Sequence, residues 1–90
     1  MTAVEYNDMI EDLYHGHELE FKYNSTLYYL ERCENTHELY KIIDNDEGIL
    51  IKTIEGADLI KRTEAFLDMP LFDNKSFNQL IQDIEILNID

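Results

Sequence analysis

Apolar and polar positions change period several times along this chain, and each change marks an element. Ala3, Tyr6, Ile10, Leu13 and Tyr14 recur at helical spacing, behind the capping-box pair Thr2 and Glu5. Gly16 is the natural stop, so a helix is expected from about residue 3 to 15. In HELEFKY the period falls to two: Leu19, Phe21 and Tyr23 alternate with Glu18, Glu20 and Lys22, the pattern of a half-buried strand. Asn24-Ser25 reads as a turn, and TLYYLER as the second arm of a hairpin. ENTH is a further turn. ELYKII and ILIKTI are two more strand-like runs, separated by DNDEG.

After Gly56 the helical period returns. Leu59, Ile60, Thr63, Phe66 and Leu67 share one face, and Pro70 blocks continuation. Ser76 and Gln79 suggest a second capping box, opening a second C-terminal helix with Phe77, Leu80, Ile81 and Ile84 as its stripe. The tail IEILNI has the makings of a short closing strand.

The order predicts an α+β domain spanning residues 1–90: an N-terminal helix, a four-stranded antiparallel meander, two C-terminal helices and a tail that either adds a short final strand or trails off. The middle strands are apolar on both faces, so each face needs a cover. Either the three helices divide between the faces, or a second copy of the chain, as a homodimer, covers one of them.

Charge narrows the partners. Twenty acidic residues against seven basic ones give a net charge of −13. Nucleic-acid binding needs clustered Lys and Arg, and no such cluster exists. Anionic membrane surfaces are disfavoured on the same ground, and no stretch approaches the ~20 apolar residues of a membrane span. A basic protein is the partner the charge favours. With one cysteine there is no internal disulfide, and the first residues lack the pattern of a signal peptide, so a cytoplasmic location is expected.

The acids are densest at the start. The first 21 residues hold six carboxylates and no Lys or Arg: Glu5, Asp8, Glu11 and Asp12 on one arc of the first helix, then Glu18 and Glu20 on the next strand. A solvated helix face is the ordinary reading of such an arc. The functional reading is a contact surface for a basic partner.

Three other chemistries have candidate residues in the chain. DNDEGILIKTIE places Asp44, Asp46 and Glu55 at the first, third and twelfth places of a calcium loop. Gly48 stands where a ligand belongs and Ile49 where glycine belongs, so a hairpin turn with Gly48 at positive φ is the better reading. His15, His17, Cys33 and His37 are candidate metal ligands by residue type, but Gly16 and the helix end explain His15, and His17 opens a strand. Cys33 has Glu31 and Glu34 near it, which oppose thiolate formation, so a small buried residue is its expected role. No phosphate loop, G-x-S-x-G or H-E-x-x-H is present, so neither a cofactor nor catalysis is expected. The expectation is a non-catalytic interaction module, such as an inhibitor or immunity-type protein. A His/Cys metal-binding regulatory domain or small enzyme is the alternative.

HGHELEFKYNSTLYYLER, LDMPLFDNKSFNQLI and the ending DIEILNID together resemble a group of small α+β proteins from Gram-positive bacteria and their mobile elements. In that group a G-H-E-x-E-F-x-Y strand opens a hairpin, and an F-D-G-K-S segment precedes a late helix. Gly16, His17, Glu18, Glu20, Phe21 and Tyr23 match the first motif; Phe72, Asp73, Lys75 and Ser76 match the second, with Asn74 in place of glycine. The resemblance implies a fold and supplies no activity.

Overall fold

The computed structural model describes residues 1–44 and 47–90. Its elements in chain order are helix α1 (Ala3–Tyr14), strands β1 (Leu19–Tyr23), β2 (Thr26–Arg32), β3 (Thr36–Ile42) and β4 (Gly48–Glu55), helix α2 (Leu59–Asp68), a 3-10 helix (Asn78–Asp83) and strand β5 (Ile84–Ile89). The five strands form one sheet in the order β4-β3-β2-β1-β5, antiparallel at every step.

Local chemistry sets most boundaries. The Thr2 side chain accepts from the Glu5 N–H at 3.1 Å and Glu5 accepts from the Thr2 N–H at 3.0 Å, closing the capping box of α1. The helix ends where Gly16 takes φ +89°, beside the Arg32 side chain, whose Nε donates to the Gly16 carbonyl at 2.7 Å. A Cβ at residue 16 would lie 2.9 Å from Arg32 Cδ, so both conformation and space call for glycine. Asn24 and Ser25, at φ 51° and 64°, make the tight turn between β1 and β2. Asp73 and Asn74 repeat that conformation at φ 53° and 65°, closed by the Phe72–Lys75 bridge.

In the C-terminal third the second helix changes character and the closing strand is present. The capping box forms, with Ser76 N–H donating to Gln79 Oε1 at 2.8 Å and Gln79 N–H to Ser76 Oγ at 3.1 Å. It opens a six-residue 3-10 helix rather than a second α-helix, because the chain turns at once into β5. The closing strand is a full member of the sheet. It pairs along β1 from Tyr23↔Ile84 to Leu19↔Ile89, with a bulge that shifts the register.

Gly48 also departs from expectation. It is the first residue of β4, opposite Ile42, and is not among the positive-φ glycines, which are Gly16 and Gly56. Its lack of a side chain matters for a different reason: a Cβ there would meet the Tyr40 ring at 3.2 Å.

The helices do not divide between the two faces of the sheet. All pack on one. Met9 and Leu13 of α1, Phe66 and Leu67 of α2, and Phe77 and Leu80 join Leu19, Phe21, Leu30, Leu39 and Ile54 in a single buried core. Phe21 is its centre: its ring stacks on Tyr28 at 5.2 Å and meets Phe66, Phe72 and Phe77 edge-on at 6.2, 5.8 and 5.2 Å. Ala3, counted on the apolar stripe of α1 from spacing, is exposed, and Met9 takes its place.

Candidate functional site

The six N-terminal acids fall on two sides of the molecule. Glu5, Asp8 and Asp12 border an open groove of about 300 Å³ between α1 and β5, floored by Met1, Met9, Ile86 and Ile89. Glu11 lies farther round the helix and does not line it. Accepting from the Thr2 N–H and hydroxyl holds the Glu5 carboxyl below its ordinary pKa, so it is a fixed negative charge at the helix start.

Glu18 and Glu20 belong to the opposite, helix-free side. Glu18 is half-buried and accepts from the Tyr29 hydroxyl at 2.5 Å and the Arg32 N–H at 3.0 Å, tying the start of β1 to the end of β2. Burial, with the Glu18 carboxylate against it, pushes the Tyr29 phenol well above its usual range. Glu20 pairs with Tyr29 across the strands and projects from the same face.

The four candidate metal ligands are not gathered. His15 caps α1, its Nδ1 donating to the Glu11 carbonyl at 2.8 Å. His17 is exposed between α1 and β1. His37 pairs with Arg32 and Ile54 and points into the core, 1% exposed. Cys33 faces the other way, half-buried, its Sγ 3.5 Å from Glu38 Oε1. Among the described residues, the His, Cys, Asp and Glu side chains that bring three ligand atoms within 4.8 Å of one another are Glu31, Cys33 and Glu38, with no histidine. The Thr36 hydrogen bond acts to lower the Cys33 pKa, but burial and the Glu38 and Glu31 carboxylates outweigh it and hold the thiol above its ordinary value.

The calcium-loop positions do not meet either. Asp46 lies outside the described residues. Asp44 follows β3 at one end of the β3–β4 pair, whereas Glu55 pairs with Thr36 at the other.

A buried cation escaped the sequence reading. Arg62 of α2 is 3% exposed. Its Nε donates to His37 Nδ1 at 3.0 Å, one terminal nitrogen to the Gly56 carbonyl, and the other to the Cys33 carbonyl at 3.4 Å. All three acceptors are neutral, in a chain with twenty acids. Burial first, and the Arg62 charge second, lower the His37 pKa from 6.5 to about 4. Since Nδ1 accepts, the ring proton sits on Nε2, which is buried with no partner among the described residues. The signal was legible: Leu59, Arg62, Thr63 and Phe66 fall at i, i+3, i+4 and i+7, which puts Arg62 on the core side. This group knits α2 to the β2–β3 turn and the β4–α2 loop.

No protein-family model matches the chain, and comparison with curated proteins and with solved structures finds no similar one.

Proposed function

We propose that this protein is a non-catalytic interaction module that engages a basic protein partner through its acidic surface. The observation that carries the reading is the α1–β5 groove, where Glu5, Asp8 and Asp12 stand over an apolar floor open to solvent. Such a groove offers a Lys or Arg side chain both parts of what it needs, an apolar wall for its stem and carboxylates for its head. Its chemistry suits an inhibitor or immunity-type protein that caps a basic surface. Two features support the absence of catalysis. The thiol at Cys33 is held in its less reactive, protonated form, and the perturbed His37 is sealed in the core, where no substrate reaches it.

The test is salt-dependent binding. Capture of basic proteins from native cytosol at low salt should fall at least tenfold when Glu5→Gln, Asp8→Asn, Glu11→Gln and Asp12→Asn are combined. Gln at residue 5 preserves the capping box, so the variant should remain folded. Equal capture by both proteins at every salt concentration would remove the groove from consideration.

A further inference from the structure

The sheet face turned away from the helices carries a second surface, independent of the α1 groove because it lies on the other side of the sheet. Strand register maps it. One row across the sheet reads Glu20–Tyr29–Tyr40–Leu50, and the next reads Lys22–Leu27–Ile42–Gly48. These side chains make one apolar strip over β2, β3 and β4, with a shallow hollow lined by Glu20, Leu27, Tyr29 and Ile42. Leu27 and Leu50 are 37% and 48% exposed. Among the described residues no helix or loop covers the strip.

Carboxylates border the strip. Glu18 and Glu20 lie on its β1 side, where one cation, Lys22, stands between Leu27 and Glu85 of β5. At its end Glu31 and Glu38 face each other directly across β2 and β3. Like charges opposed in this way weaken strand pairing. Among the described residues, neither carboxylate accepts a hydrogen bond from a lysine or arginine; Glu38 accepts from Tyr40 and Cys33. A local conflict of this kind is expected where a surface serves binding rather than folding.

We propose that this face docks an amphipathic helix of another protein, with an apolar stripe flanked by Lys and Arg. Charge selects that occupant. A second copy of the chain laid on this face would bring Glu18, Glu20, Glu31 and Glu38 of both copies together, with one Lys22 from each to offset them. A neutral apolar helix would desolvate Glu31 and Glu38 without pairing them, which is costly. A helix with basic flanks covers the strip and supplies the missing cations.

The probe is a 14-residue Leu/Lys amphipathic peptide carrying one Trp. The protein has no Trp, so the fluorescence reports the peptide alone. Expected are saturable one-to-one binding with a blue-shifted emission, and at least tenfold weaker binding to the Leu27→Ser/Leu50→Ser variant. The Glu31→Gln/Glu38→Gln variant should bind with a flatter salt dependence. All of these measurements are made in the quadruple α1 background, where the groove no longer offers carboxylates to the lysines of the peptide, so that binding reports this face alone. Both substituted leucines are exposed, and far-UV circular dichroism confirms that the variants are folded. Three results would overturn the proposal: no saturable binding, equal binding by the leucine variant, or a parent dimer that the leucine variant converts to monomer.

Discussion

The two faces of the sheet are built from the same residue types and fare differently. On the covered face Leu19, Phe21, Leu30 and Leu39 are fully buried beneath α1, α2 and the 3-10 helix. On the bare face Leu27, Tyr29, Tyr40, Ile42 and Leu50 are left half-buried or exposed. Both sets alternate along the same strands, often as adjacent residues: Leu39 beside Tyr40, Tyr29 beside Leu30. Hydrophobicity therefore does not distinguish them. What does is where the amphipathic elements land, and charge shows the same asymmetry. Among the described residues the covered face buries one cation, Arg62, held by neutral acceptors, while the bare face carries Glu18, Glu20, Glu31 and Glu38 against a single lysine, Lys22. Apolar surface on one face drives folding; on the other it stays in contact with solvent.

The largest effect of a single substitution is expected at the centre of the covered face. Phe21→Ala removes the ring that touches Tyr28, Phe66, Phe72 and Phe77. It should cost about 3–5 kcal/mol in a urea titration, a large share of the stability of a domain this size.

Acid is the next largest. His37 is neutral in the fold down to about pH 4 but takes a proton near pH 6.5 once unfolded. The unfolded state therefore binds more protons between those values, and stability falls as pH drops from 6.5 to 4, by up to about 3 kcal/mol. Below pH 4 this contribution is fully lost and the slope from His37 ends. Urea midpoints measured at half-unit steps should show the fall, and His37→Asn, which keeps an acceptor for Arg62, should flatten it. An unchanged slope in that variant would assign the effect to other groups.

Smaller still is the loss of the α2 cap. Asp58 accepts from the Ile60 and Lys61 N–H groups at 3.0 and 3.2 Å. Asp58→Ala should cost about 1 kcal/mol by thermal melting, since it loosens the helix that covers Ile54 and Leu39 without opening the core.

The smallest effect belongs to the bare face. Leu27→Ser and Leu50→Ser should each change stability by no more than about 0.5 kcal/mol, as exposed substitutions do. That sharpens the contrast with Phe21, one row away on the same sheet. A cost above 2 kcal/mol at either leucine would mean that the face is covered in solution and that the asymmetry is false.

Much of this was written locally. Capping residues, Gly16, the Asn24-Ser25 turn and the period of β1 placed α1 and the first hairpin, because those signals depend on neighbours within four residues. The C-terminal segment misled for the same reason. Ser76 and Gln79 form their capping box as expected, yet the length of the helix behind it was set by β5 needing to reach the open edge of β1. Gly48 looked like a turn glycine because its chain neighbours are turn formers. Its actual constraint is the Tyr40 ring, which comes from another strand.

The six acids of the first 21 residues and the doubly apolar strands were visible without coordinates. That Glu5, Asp8 and Asp12 border one groove while Glu18 and Glu20 border the opposite face was not, since sequence spacing fixes direction around an element but not which side of the sheet the element takes. An acidic α+β domain with its strands in hairpin order is legible in the chain, since period, caps and turns act over a few residues. That all helices cover one face, that Arg62 and His37 meet inside it, and that the other face stays open come from the assembled fold. Those outcomes depend on packing among segments distant along the chain.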